Sequence, residues 1–169
     1  FLFYSFPVIW PYLISELGMT ESQLGMVSAF YFMPVAILAI IIGRALDKYS
    51  VKNFMMIGAI IYAIGLFSLS FINSYWSLLT IYLTILALGS IMMGNLAVAK
   101  LISNWFDKNA GRALGIAAIG ISFSGVVLPL IVDPLLDLVG WRNVYVIFAS
   151  VVLFIILPLI FFTVIDDPK

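Results

Sequence analysis

The sequence contains neither cysteine nor histidine. Without these residues the chain has no disulfide, no zinc site built from Cys and His, and no haem ligand of either type. A catalytic dyad or triad that needs an imidazole is excluded for the same reason. We therefore predict no metal, no cofactor and no bond chemistry for this chain.

Charged side chains are scarce as well. They make up 9% of the 169 residues, whereas a soluble domain is about 25% charged. The eight basic and eight acidic residues cancel, so no basic face is available to bind nucleic acid or an anionic membrane surface. We predict no nucleic-acid partner.

Apolar residues take the place of charge. They make up 64% of the chain, and the mean hydropathy is +1.22. A bilayer core about 30 Å thick requires about 20 apolar residues per helical span, so the length leaves room for six spans. We place these spans at about 1–15, 23–43, 53–72, 77–102, 112–132 and 143–165. The pattern predicts an all-α membrane protein with six transmembrane helices in one domain and excludes a soluble enzyme.

The two ends of the sequence predict that residues 1–169 are cut from a longer chain. The first run has about 15 residues and reaches only about 22 Å. The chain opens with Phe1, and no basic segment or cleavage site precedes this run, which favours a shortened first helix over a signal peptide. Residues 166–169 are predicted to begin a cytoplasmic linker.

Loop charge predicts the orientation. Six basic residues lie after the second span and around the end of the fourth: Arg44, Lys48, Lys52, Lys100, Lys108 and Arg112. The opposite loops carry Glu16, Glu21, Asp133, Asp137 and a single Arg142. Because loops rich in Lys and Arg face the cytoplasm, we expect both termini there and a multi-pass protein of the plasma (inner) membrane.

The loop after the second span, residues 43–52, combines a glycine, a carboxylate and three cations. Gly43 allows helices to approach closely, and Asp47 can accept hydrogen bonds from a helix N-terminus or from a basic partner. One interpretation is a conformational latch. The other, which spacing alone favours, is an ordinary solvated loop in which Asp47 offsets its neighbours.

The segment after the fourth span combines aromatic, basic and small residues. Asn104-Trp105-Phe106-Asp107-Lys108 precedes Gly111-Arg112-Ala113-Leu114-Gly115. Gly111 and Gly115 form a G-x-x-x-G pair, which Gly120 and Ser124 continue, and this spacing allows helices to pack tightly or to slide. Static helix packing, with an interfacial aromatic belt at residues 105–106, is the simpler interpretation.

These two segments resemble the major facilitator superfamily. Its signature between helices two and three reads Gly-x-Leu-x-Asp-Arg-x-Gly-Arg-Arg/Lys, which Gly43, Asp47, Lys48 and Lys52 match in kind, with Leu46 one place late and Ser50 at the usual turn glycine. The resemblance implies the N-terminal six-helix bundle of a twelve-helix transporter, with a 3+3 inverted repeat. It also implies a latch, formed by Gly43, Asp47, Lys48, Lys52 and Arg112, that braces a second bundle of the same chain.

Within that superfamily, the junction after the fourth span and Gly140-Trp141-Arg142 are similar to monocarboxylate and oxalate/formate transporters. The similarity implies alternating-access transport of a small organic anion such as a monocarboxylate. Val8 stands where animal monocarboxylate transporters tend to have a lysine, and residues 85–87 include no arginine. The second bundle would have to supply the positive charge, and a sugar, an amino acid or a drug is the alternative solute.

Polar residues near the middle of the predicted spans are the candidates for contact with a small-molecule solute. They are Tyr4, Ser5, Trp10, Ser90, Asn95, Ser122 and Ser124. Charge, the usual marker of an ion or proton path, is absent at this depth. Asn95 is the most informative candidate, because an amide in hydrocarbon needs a partner, either another helix or a ligand.

Other six-span proteins are alternatives. Ser122-Phe123-Ser124-Gly125 faintly resembles the serine motif of a rhomboid-type protease, but that interpretation fails because the chain lacks histidine. A non-transporting membrane module, such as a scaffold, and a six-helix protein that pairs with itself to transport stay open. For each of them the lipid bilayer is a partner.

Overall fold

The computed structural model describes residues 2–106 and 108–166. Over these residues the chain is helical and contains no strand, as predicted. Within the same residues, five helices follow one another: α1 Leu2–Leu17, α2 Glu21–Leu46, α3 Val51–Leu69, α4 Tyr75–Trp105 and α5 Ala110–Thr163. Phe1, Asp107 and residues 167–169 of the predicted linker lie outside the described part.

Small polar side chains set where the helices begin. Thr20 Oγ1 accepts a hydrogen bond from the Gln23 backbone N–H at 3.2 Å, and the Gln23 side chain accepts from the Thr20 N–H at 3.0 Å, so α2 opens with a capping box. Ser50 caps α3 and Ser74 caps α4 by accepting from the backbone N–H three residues later. The connections are therefore short, and α2 packs beside α1 as α4 packs beside α3.

Helices α2 to α5 are each long and apolar enough to cross a membrane. The 16 described residues of α1 span about 24 Å, which is less than a bilayer core of about 30 Å. The apolar helices thus indicate an integral membrane protein, as the composition predicts.

Helix α5 consists of two arms, residues 110–139 and 141–163, separated at Gly140. This residue has a φ of 76° and a ψ of 158°, a conformation that favours glycine. The loop predicted between residues 132 and 143 is wrong in extent, because only Gly140 leaves the helical conformation there. Two prolines inside the first arm of α5, Pro129 and Pro134, do not interrupt it.

Contacts at the ends of the arms show that they run in opposite directions. The first arm runs parallel to α1, since Gly125 lies under Tyr4 and Asp137 accepts a hydrogen bond from Tyr12 at 3.1 Å. The second arm begins beside the end of α3, where Arg142 donates to the Ile72 carbonyl. Beyond its end, Asp166 contacts the start of α3, so this arm is antiparallel to α3.

The core of the bundle lies where α3 meets α4, and glycines bring the two backbones together. A Cβ added at Gly89 would lie 2.7 Å from the Tyr62 backbone nitrogen, and one added at Gly58 would lie 2.6 Å from the Met92 Cβ. A Cβ added at Gly65 would lie 2.7 Å from a side-chain carbon of Leu86. Buried apolar side chains, including Ala59, Ala63, Leu66 and Leu86, fill the space around this crossing.

The tight packing predicted for the small-residue row of the fifth span is not found in the described chain. A Cβ added at Gly111, Gly115 or Gly120 would meet nothing within 4 Å. The row lies on an exposed face of α5, beside exposed Ile116, Ile119 and Phe123. The spacing of small residues identifies a helix face that could pack closely, but it does not show whether another helix lies against that face.

Candidate functional site

A cleft of about 660 Å³ lies between α2 and α4, at the middle of both helices. Its walls are mainly apolar and aromatic, and we call it the α2–α4 cleft. It is lined by Tyr31, Phe32, Val35, Ala39, Tyr62, Ser90, Ile91, Met93, Gly94, Asn95, Leu96 and Ala99. Two of the predicted solute contacts, Ser90 and Asn95, therefore share one cavity.

The cleft forms where α4 is interrupted at Gly94. This glycine has a φ of −89° and a ψ of −152°, so one helical segment ends at Met93 and the next begins at Asn95. A Cβ at residue 94 would clash with the Ser90 carbonyl oxygen, so glycine is favoured at this position. No side chain caps the first turn after the break.

Hydroxyl groups line one wall of the cleft. The Tyr31 hydroxyl donates to Ser90 Oγ at 2.6 Å, and Ser90 Oγ donates to the Ala87 carbonyl at 2.9 Å. This chain of bonds ties α2 to α4 just before the break and fixes the orientation of both side chains. Each bond satisfies a polar group that would be costly to leave unpaired in an apolar environment.

Asn95 stands on the other side of the break. Its residue is exposed, and its side chain makes no hydrogen bond within residues 2–106 and 108–166. The alternative of a helix partner for this amide is therefore not realised in the described chain. The amide offers both a donor and an acceptor to the cleft.

The other predicted solute contacts lie outside this cleft. The Tyr4 ring packs against Gly125 of α5, where an added Cβ would lie 2.9 Å from it. Trp10 and Ser5 are turned into the bundle, where Trp10 Nε1 and Ser5 Oγ are buried without a hydrogen-bond partner in the described part of the chain. Ser122 and Ser124 bond back to carbonyls of their own helix, at Ala118 and Ile121.

Asp47 of the predicted latch has a partner that the sequence did not identify. Its carboxylate is 2.7 Å from Lys100 Nζ, so the end of α2 is paired with the last turns of α4. Both side chains are accessible, with exposed fractions of 66% for Asp47 and 32% for Lys100. A groove of about 350 Å³ contains this pair and shares Leu96 and Ala99 with the α2–α4 cleft. Gly43 lines the same groove, with its Cβ position 4.0 Å from Leu96.

The remaining latch residues are not part of that ion pair. The backbone N–H of Lys52 donates to Asp166 at 2.7 Å, and its ammonium lies 4.9 Å from the centre of the Phe161 ring. Lys48 and Arg112 are exposed and form no salt bridge within the described residues. The structure therefore brings Gly43 and Asp47 together at one groove and leaves Arg112 apart.

Comparison with known proteins now identifies the family. The family model described as Major Facilitator Superfamily matches residues 1–169. The chain belongs to the major facilitator superfamily. This is a family of transporters.

Curated relatives of this superfamily chain match it in part. "MFS-type transporter 1" of Ophiocordyceps sp. is 26% identical over 140 residues, which is 83% of this chain and 31% of the relative. "Riboflavin transporter MCH5" of Saccharomyces cerevisiae is 26% identical over 112 residues, which is 64% of this chain and 21% of the relative. "Probable sulfoacetate transporter SauU" of Cupriavidus necator is 26% identical over 143 residues, which is 83% of this chain and 33% of the relative. The chain thus spans a third or less of each of these relatives.

Sequence reasoning missed a polar cluster at the opposite end of this superfamily member. Trp141 Nε1 donates to Glu16 at 2.8 Å, and Arg142 lies 3.6 Å from the same carboxylate. The Arg142 guanidinium also stacks on the Trp141 ring at 4.1 Å and donates to the Ile72 carbonyl. The sequence signal for this cluster was Gly140-Trp141-Arg142. Glycine can adopt the positive φ of a turn, and Trp is common at a membrane boundary.

Proposed function

We propose that this chain is the N-terminal bundle of a transporter that moves a small solute across a membrane by alternating access. The observation that carries the proposal is the α2–α4 cleft, which lies at mid-depth beside an interrupted helix in a chain of a transporter family. Transporters bind their solute near the bilayer midplane, often at discontinuous helices. The cleft has the same combination of depth and backbone geometry.

We also propose six spans and a 3+3 inverted repeat. The opposite directions of the two arms of α5 support counting each arm as one span, so that α1 to α4 and the arms give six. The first three helices and the last three would then be the two repeat units.

A second bundle belongs to this proposal. The chain covers 21% to 33% of the three relatives described above, which is what half of a transporter, or less, would cover. Large apolar side chains are exposed on α2 and on the first arm of α5, among them Met33, Ile37, Ile116, Ile119 and Leu130. Exposed apolar faces of this kind suit either lipid or a packed partner bundle.

The orientation and the latch follow from charge. We propose that the end with Asp47 and Lys100 faces the cytoplasm at the plasma membrane and that both termini lie on that side, because the Lys and Arg residues are concentrated there. Asp47 would act as the latch by exchanging partners during the cycle. Its pairing with Lys100 is one of the two arrangements that such an exchange requires.

The class of solute divides into two hypotheses. A small organic anion such as a monocarboxylate is supported by the resemblance of the junction after α4 and by a relative named for sulfoacetate. Such an anion needs a cation from residues outside this chain. An uncharged, larger solute is supported by the lining of the α2–α4 cleft and by a relative named for riboflavin.

Uptake into lipid vesicles tests the transport proposal. The full-length protein is reconstituted, and the entry of labelled lactate, oxalate, glucose, alanine and riboflavin is measured with and without the same unlabelled solute inside. We expect unlabelled solute inside to accelerate the entry of one of these compounds, because exchange is faster than the return of an empty carrier. Residues 1–169 alone serve as the control and should give no uptake, since the second bundle is missing.

If the protein exchanges none of the five compounds, the proposal that it transports a solute of these classes is wrong. The alternative of a non-transporting membrane module is then favoured. Uptake by residues 1–169 alone would support the alternative of a six-helix protein that pairs with itself.

A further inference from the structure

The size of the α2–α4 cleft limits what fills it. Its volume of about 660 Å³ falls within the range of about 300–1,000 Å³ that is typical of sites for drug-sized ligands. A two- or three-carbon acid would fill only a small part of it and would leave water or empty space against apolar walls. A solute with a ring system fits the dimensions better.

The lack of charged side chains in the cleft argues against an ionic solute. None of the described residues that line the cleft is acidic or basic. Lys100 lies in the adjoining groove, where its ammonium is paired with Asp47 at 2.7 Å. An ion placed in the cleft would lose its hydration and would meet no charged side chain there, only the uncapped first turn that begins at Asn95.

The lining supplies two kinds of favourable contact instead. Phe32 is 52% exposed and borders the cleft together with Met93, so a planar ring can stack on an aromatic face and against a polarisable thioether. The Asn95 amide, which has no partner in the described chain, offers a donor and an acceptor to the edge of such a ring. The Phe32 ring, the Met93 thioether and the Asn95 amide therefore favour a flat solute with a polar edge.

We propose that the α2–α4 cleft binds an uncharged, fused-ring aromatic solute, with its ring against Phe32 and its polar edge at Asn95. This inference rests on the proposed transport function and specifies its solute class. The cleft also shares Leu96 and Ala99 with the groove that contains the Asp47–Lys100 pair. A solute that contacts Leu96 and Ala99 therefore touches the same side chains that pack beside the ion pair.

Fluorescence binding to the full-length protein in detergent tests the inference, with 7-methoxycoumarin as the uncharged probe and lactate as the anionic one. We expect the coumarin to bind and lactate not to compete. Asn95→Leu and Phe32→Ala should each weaken coumarin binding about three- to tenfold, the loss expected for one neutral hydrogen bond or one aromatic contact. Ser122→Ala is the matched control, because Ser122 lies outside the cleft and bonds to its own helix, and it should bind as the wild type does.

Protection of an introduced cysteine tests the same inference and does not require Asn95→Leu or Phe32→Ala to fold. Residues 1–169 contain no cysteine, so Ala99→Cys places one thiol in the cleft and Lys48→Cys places one outside it, with any cysteine elsewhere in the full-length protein replaced by serine. Bound coumarin at ten times its Kd should slow alkylation of residue 99 about tenfold and leave residue 48 unchanged, because labelling requires the unoccupied cleft.

Each outcome separates this inference from the transport proposal. Binding of lactate in place of coumarin, or coumarin binding that is insensitive to Asn95→Leu and Phe32→Ala with no protection of residue 99, overturns the inference while transport stands. Protection of residue 99 by coumarin in a protein that exchanges no solute supports the inference on the cleft and contradicts transport.

Discussion

At the scale of single residues, three glycines determine how closely α3 and α4 pack. Gly58, Gly65 and Gly89 each occupy a position where a Cβ would lie less than 3.0 Å from a neighbouring helix. At Gly89 the neighbouring atoms belong to the Tyr62 backbone, which cannot move aside as a flexible side chain can. In a membrane, where the hydrophobic effect does not drive helices together, this close van der Waals contact is a main source of helix association.

We expect Gly89→Ala to destabilise the chain by about 1–3 kcal/mol, the usual range for an overpacked core. The measurement is the apparent unfolding temperature of residues 1–169 in detergent, followed by tryptophan fluorescence. Gly120→Ala is the matched control, because a Cβ there meets nothing within 4 Å and alanine is the better helix former by about 0.5–1 kcal/mol. An unchanged unfolding temperature for Gly89→Ala, or a loss of equal size in both variants, would contradict the role given to Gly89.

The residues of the cleft could be predicted only in part. Ser90 and Asn95 stood out in the sequence because polar groups are rare in an apolar run. Tyr31 did not, since a tyrosine in a membrane helix is common and its role depends on a hydroxyl partner 59 residues away. The pairing of Asp47 with Lys100 could not be predicted for the same reason, because the loop sequence contains several closer cations.

At the scale of elements, the helical hairpins follow from apolar runs and caps, but the interruptions of the helices do not. Residues 133–139 were predicted as a loop because they include Asp133, Pro134 and Asp137, yet they continue the helix, and Asp137 bonds to Tyr12. The breaks occur at Gly94 and Gly140, positions that hydropathy does not distinguish from other glycines. Turns of π-helix at Tyr82–Leu86 and Val152–Ile156, both packed on α3, were likewise not predictable.

The pair that connects the ends of α2 and α4 leads to a prediction about the transport cycle. Asp47→Asn removes the ion pair with Lys100, and because both side chains are accessible the loss of stability should be below about 1 kcal/mol. If Asp47 exchanges partners between two states, the same change shifts their balance and slows solute exchange, while solute affinity stays within a few-fold. Exchange rates in vesicles and the Kd of the transported solute measure the two effects.

Lys108→Gln provides the control, since Lys108 is exposed, is not one of the latch residues and forms no salt bridge within the described residues. We expect it to leave exchange unchanged. The double variant Asp47→Lys with Lys100→Asp should recover part of the rate, because it restores a pair of opposite charges. Wild-type exchange in Asp47→Asn would remove the basis for the latch.

At the scale of the whole molecule, the orientation in the membrane can be tested with single cysteines. We expect Lys48→Cys and Asn109→Cys to react with a membrane-impermeant thiol reagent only from the cytoplasmic side, and Glu21→Cys only from the opposite side. Position 21 is the first residue of α2, and position 48 follows its end. Because the 26 residues of α2 are about 39 Å long, these two positions lie on opposite sides if α2 spans the bilayer. The native chain without cysteine is the blank. Labelling of all three positions from one side would overturn the topology.

The two ends of the bundle also differ in the chemistry that holds them together. At one end the contact between α2 and α4 is an ion pair between accessible side chains, and at the other Trp141, which is 2% exposed, donates to Glu16 beside Arg142. Mobile ions screen charges at the surface over about 8 Å at physiological ionic strength, but they weaken a hydrogen bond from a buried indole much less. The opposite end also has an accessible ion pair, between Glu16 and Arg142, so the electrolyte weakens charge pairing at both ends but weakens the bond from the Trp141 indole less. A rise in ionic strength should therefore loosen the end with Asp47 and Lys100 more than the end with Trp141.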